Sequence, residues 1–222
     1  MATGWVVPLL AGAIAALFAA RVWGQWSVRR RPHQLAWAAG LTLYAIATFI
    51  DAYVAEEGWN IPAYRLFFFV AAANVGLLGL GTILLVRSGT WGRVFAILVV
   101  AGALVAGLGQ FAVPLDGVAL DGTAKHIPFP QPARIAFLVL NIVGGLALIG
   151  GAVLSWWKTR QAGVLLIGAG ALLPFAGGSL STVHVVDMRV VLQFLGIVVM
   201  FVGYLRSQEA RPPVLAQAPA EG

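Results

Sequence analysis

Long apolar runs recur about seven times along this chain, each close to the roughly 20 residues that a helix needs to cross a bilayer. They lie at Trp5–Trp26, Gln34–Ala55, Pro62–Val86, Trp91–Val113, Ala133–Trp157, Ala162–Val183 and Met188–Leu205. Backbone N–H and C=O groups cannot stay unpaired in hydrocarbon, so such runs are stable there only as helices. The predicted fold is therefore all-α: a polytopic membrane protein built as a seven-transmembrane helix bundle. The composition agrees, because a chain 60% hydrophobic and only 10% charged cannot cover a water-facing surface. The bundle is expected over residues 1–206, and a disordered, Pro/Ala-rich cytoplasmic tail over 207–222. No basic residue precedes the first run, so it does not read as a cleavable signal.

Basic residues set the orientation. Arg21, Arg29, Arg30, Arg31, Arg87, Arg93, Lys158, Arg160, Arg206 and Arg211 fall on one side, and only Arg65, Lys125, Arg134 and Arg189 on the other. The positive-inside rule then predicts the N-terminus outside and the C-terminus cytoplasmic, in the plasma (inner) membrane. The formal charge of +6 is thus a topology signal. The cytoplasmic loops are too short for a nucleic-acid face, so no nucleic-acid partner is expected; the lipid bilayer is.

Several chemistries are excluded. The chain has no cysteine, which removes disulfides and thiolate sites. Lys125 and Lys158 lie in loops, so no retinal Schiff base can form within a span. His33 falls on one side and His126 and His184 on the other, which argues against haem or a three-histidine zinc site in the membrane. No Ser-His-Asp arrangement stands out. The expectation is a protein that is not an enzyme and holds no cofactor or metal.

Polar groups inside spans are costly and therefore mark candidate sites. Trp37, Leu41, Tyr44, Thr48 and Asp51 follow helical steps of four, three, four and three, so they share one face whose polarity rises toward the outer end. An ionised Asp near mid-span costs about 2.5–3.5 kcal/mol. Asp51 should face the bundle interior and meet Arg65, Arg134 or Arg189. Asn74, Asn141 and Gln193 add polar groups within helices. The segment "VHVVDMR", containing His184, Asp187 and Arg189, reads as the outer turn between the last two helices. The predicted ligand-binding set is Tyr44, Thr48, Asp51, Arg65, Asn74, Arg134, Asn141, His184, Asp187, Arg189 and Gln193, lining an outward-facing polar pocket. The inner halves of the helices, rich in Ala, Gly, Val and Leu, favour a pocket on that side alone. The helices beginning at Pro62 and Pro132 open alike and turn glycine-rich, as an internal repeat would. Pro174 should kink the sixth helix. In the loop Pro114–Pro132, Asp116 and Asp121 begin turn-forming Asp-Gly steps, read as a connector or a small lid.

Three features carry a resemblance: "RRRPHQLAW" between the first two helices, Glu56 and Glu57 at the end of the second, and "PAYRLF" opening the third. Over about the first 90 residues the chain resembles the N-terminal seven-helix sensory module of bacterial histidine kinases. With no kinase following, the resemblance implies a sensor-like bundle that acts through a membrane-protein partner. The expected function is binding of a small polar or anionic ligand. The alternatives are a small-solute or ion transporter or channel, proton-coupled through Asp51, and a structural subunit of a membrane complex. The charge asymmetry predicts that a reporter fused at Gly222 is cytoplasmic. A tag near Gly122 should be accessible from outside intact cells, and a protected tag there would reverse the orientation.

Overall fold

The structure, a computed structural model, describes residues 4–87, 89–115, 120, 129–180 and 186–209; for residues 175, 177–180, 186 and 187 it describes the backbone alone. Among the described residues there are seven α-helices: α1 Val6–Arg29, α2 Pro32–Glu57, α3 Ile61–Val86, α4 Thr90–Gly109, α5 Gln131–Thr159, α6 Ala162–Leu180 and α7 Val186–Glu209, with a 3₁₀ turn at Gln110–Ala112. Six are long and apolar enough to cross a membrane; in α6 the described apolar stretch is the shorter Ala162–Pro174. Large apolar side chains such as Ile97 (69% exposed) and Leu108 (67%) point away from the protein, as they can in lipid but not in water. The chain is a multi-pass membrane protein in its architecture. Helix α7 continues to Glu209, so the bundle extends beyond the expected limit at residue 206. It begins at Val186, so Asp187 lies inside the helix and not in a turn.

The helix ends follow from local chemistry. Asn60 caps α3 by accepting a hydrogen bond from the Ala63 N–H at 2.9 Å. Pro32, Pro62 and Pro132 each sit in a first turn, where no intrahelical N–H bond is lost. Helices α1 and α5 end in the same way. Arg30 and Arg160 adopt left-handed backbone (φ 50° and 56°), and their N–H groups donate to the carbonyls of Trp26 and Trp156. Each guanidinium then folds over the indole of that same tryptophan, at 4.4 and 5.3 Å. A non-glycine residue in this conformation costs about 1–2 kcal/mol; the capping bond and the cation–π contact offset it.

Six helices form a closed ring in the order α1, α2, α3, α5, α6, α7, and back to α1; α4 packs outside against α3 and α5. Close backbone approach holds the ring, since between apolar helices in lipid van der Waals packing must replace the hydrophobic effect. Helices α3 and α5 run parallel and nearly touch: a Cβ on Gly79 would lie 2.5 Å from the Gly144 carbonyl oxygen, and one on Gly144 2.5 Å from that of Val75. Helices α6 and α7 run antiparallel, with Gly163 against Gly203 and Gly170 against Gly196. Pro174 removes the N–H that would bond the Gly170 carbonyl. That oxygen faces Gly196, where a Cβ would lie 2.7 Å away, so the missing side chain admits it.

These contacts make glycine substitutions unequal. Gly144→Ala should destabilise the bundle by about 1–3 kcal/mol through overpacking. Gly150→Ala has nothing within 4 Å of the new methyl and should be neutral or up to about 1 kcal/mol stabilising. Thermal unfolding in detergent reads both, and equal effects would contradict the α3–α5 seam.

Candidate functional site: the lumen of the ring

The helix face anticipated on α2 is a lumen face along its whole length. One further step back from Trp37 adds Gln34, and from Gln34 to Asp51 the stripe runs about 26 Å, close to the thickness of a bilayer core. Helix α7 presents the matching stripe, Arg189, Gln193, Ile197, Met200 and Tyr204, running antiparallel. The two stripes meet in three zones. At the far end, the end opposite most of the basic residues, Asp51 Oδ1 accepts a hydrogen bond from Arg189 Nη2 at 3.2 Å. Next, Tyr44 Oη donates to the Gln193 backbone carbonyl at 3.0 Å. Then Leu41, Ile197 and Met200 join Phe18, Leu78 and Leu148 in a buried apolar cluster.

Beyond that cluster, at the basic end, the lumen opens into a cavity of about 490 Å³, within the roughly 300–1,000 Å³ of small-molecule sites. All six ring helices line it; α4 does not. Its deep wall is apolar, with Phe18, Leu41, Leu78, Leu148 and Met200. Toward the mouth it carries Gln25, His33, Gln34, Lys158, Thr159 and Gln208. Trp37 is fixed at the wall, its indole N–H shared between the Leu78 carbonyl (3.1 Å) and Thr82 Oγ1 (3.3 Å), and its ring lies against Gly81, where a Cβ would collide. A second recess of similar volume lies outside the ring between α4 and α5, walled almost wholly by apolar side chains such as Leu98, Val105 and Ile135.

The predicted residues divide accordingly. Tyr44, Asp51, Arg189 and Gln193 come together, but as a closure across the lumen and not as the lining of an open pocket. Of the three arginines considered for Asp51, Arg189 is the partner. Arg65 instead donates to the Val113 carbonyl at 3.2 Å and lies over Phe111 at 5.0 Å, tying α3 to the segment after α4. Arg134 is exposed. Thr48 and Asn141 bond backward to their own helices, Thr48 to Tyr44 and Ala45, Asn141 to Phe137. Asn74 is buried against α2, and its side-chain oxygen has no partner among the described residues. His184, the side chain of Asp187, and the loop carrying Asp116, Asp121 and His126 lie outside what is described. A pocket was expected on the outer side alone; the cavity instead lies at the basic end, with Gln25, His33, Gln34, Thr82 and Tyr204 in its lining. The stripe on α2 held the signal, since Gln34 continues it by one helical step. No protein-family model, curated protein or solved structure matches the chain.

Both partners of the Asp51–Arg189 pair are largely withdrawn from solvent, with side chains 4% and 20% exposed. Removing either by Asp51→Asn or Arg189→Gln should therefore cost about 3–5 kcal/mol, and removing both less than the sum. Arg65→Gln and Arg134→Gln should combine additively with Asp51→Asn. A double-mutant cycle on thermal stability measures this; additivity for Arg189 would dissolve the pair.

Proposed function

We propose that this protein binds a small anionic ligand in the lumen of its helical ring and admits it from the basic end. The cavity carries the reading: it is walled by six helices, and among the described residues its lining includes Lys158 and His33 but no carboxylate. Basic residues at the surrounding helix ends, among them Arg29, Arg87, Arg160 and Arg206, add a positive field that concentrates anions near the mouth. The positive-inside rule gives this end to the cytoplasm of a plasma (inner) membrane protein whose seven helices all span, so the ligand arrives from inside the cell, opposite to the side expected from sequence. With the resemblance to kinase sensory modules, this favours a sensor-like bundle reporting on an internal ligand through a membrane-protein partner.

A second reading, a carrier, rests on the far-end closure. A lumen open at one end and shut at the other by two polar contacts between α2 and α7 is what one access state of a transporter requires. Breaking Asp51 from Arg189 would be the step that opens the other side.

The natural absence of cysteine makes both readings accessible to thiol labelling. Val164→Cys, in the cavity wall, should react with a water-soluble maleimide in inverted vesicles and not in intact cells. Reaction only from outside would overturn the orientation, and no reaction the open cavity. Thr48→Cys should stay unreactive from outside in an Asp51→Asn background if the protein is a sensor, and become reactive if it is a carrier.

A further inference from the structure

We propose that the ligand is an amphiphile with a single alkyl chain and an anionic head, the chain lying in the deep lumen and the head at Lys158. This rests on the binding reading above and narrows it to one ligand chemistry.

The lining is divided in the way such a molecule is divided. From Lys158 at the mouth to Leu148 in the deep wall is ten residues of α5, about 15 Å along the axis. Over that depth the wall passes from Lys158, Thr159 and Gln208 to Leu41, Leu78, Leu148 and Met200. A compact, uniformly polar anion would leave the deep half unfilled and would surrender its own hydration to apolar walls. An alkyl chain fills that half at no such penalty, and each methylene removed from water tightens binding about fourfold.

The rim gives a second, independent indication. Leu85 and Leu154 line the cavity, yet are 46% and 49% exposed. A mouth opening only to water would pay for two exposed leucines. A mouth that also meets the hydrocarbon of the leaflet would not, and such a mouth lets a chain slide in while the head stays at the interface. Lys158 is exposed and sits among residues of that same rim, where a long cationic side chain reaches the headgroup level. Among the described residues the lining holds no acid to compete for it.

The test uses the full chain carrying Val164→Cys in phosphatidylcholine nanodiscs, with protection from maleimide as the readout. Laurate and a lysophosphatidylglycerol with a 12-carbon chain should protect at least about a hundredfold more strongly than butyrate. Dodecyltrimethylammonium should protect weakly. Whichever of the first two protects better identifies a free fatty acid or a membrane lysolipid as the source. Lys158→Gln, at an exposed position that tolerates change, should weaken laurate protection about tenfold and leave that by neutral dodecanol unchanged. Ser155→Phe, which fills the cavity, should abolish it. Equal protection by butyrate and laurate would overturn the amphiphile and leave anion binding standing. No protection by any anion would overturn both. Laurate protection that survives both Ser155→Phe and Lys158→Gln would place the amphiphile in the bilayer and not in the lumen, and would overturn the proposal.

Discussion

A carboxylate placed six residues before the end of an apolar helix has two ways to avoid hydrocarbon: turn inward, or find a cation. Asp51 does both. Its helix turns it into the ring, and Arg189 reaches it from α7 at 3.2 Å. That pairing sets the rotation of α2 and α7 about their own axes. Once Asp51 faces the lumen, helical periodicity carries Tyr44, Leu41, Trp37 and Gln34 to the same face, and on α7 it carries Gln193, Ile197, Met200 and Tyr204. The cavity at one end and the closure at the other are consequences of one registration between two helices.

How much of this was legible in the sequence differs by level. The helices were, because runs of about 20 apolar residues leave the backbone little choice. The α2 face was, because steps of three and four are independent of the neighbours. The ring was not. Nothing in the chain says that α3 skips its neighbour α4 to close against α5, since this depends on which glycines meet which. Arg65 and Arg134 illustrate the limit. Each stands near the start of a similar helix, and by position alone each was as good a partner for Asp51 as Arg189. Arg65 was taken by a backbone carbonyl at Val113, and Arg134 lies on the outer surface. Charge and depth narrow the candidates, but the rotation of each helix selects among them, and for α3 and α5, which carry Arg65 and Arg134, that rotation follows their packing on one another.

The same point explains why the cavity stood at the unexpected end. The inner halves of the helices are mostly Ala, Gly, Val and Leu when counted, and counting suggested a sealed end. A few polar residues converging from different helices are enough to line a cavity. Gln25 comes from α1, His33 and Gln34 from α2, Thr82 from α3, Lys158 from α5 and Tyr204 from α7. No one of these stretches marks a cavity by itself. At the far end the polar residues are more numerous, but among those described Asp51 meets Arg189, and Tyr44 and Arg65 each donate to a backbone carbonyl, so α2 and α7 are tied across the lumen there.

The likeness of α3 and α5 also acquires a physical cause. Their glycine-rich halves are the surfaces by which they touch, Gly76 and Gly79 against Leu140 and Gly144. The shared composition is explained by a parallel, backbone-close contact, while the two early arginines have different fates. This seam joins α2, α3 and α5 into one side of the ring, with α4 as an outer strut. The glycine contacts between α6 and α7 make a second unit. The units adjoin along α5–α6 and, through α1, along α1–α7, where Phe18 packs on Phe201 and Tyr204. Across the lumen, Asp51–Arg189 and Tyr44–Gln193 tie α7 directly to α2. Polar contacts of this kind can be exchanged for water or ligand in a way that a glycine seam cannot. If the lumen changes shape, the geometry therefore assigns the movement to the α6–α7 pair, and the restraint on it to two hydrogen bonds.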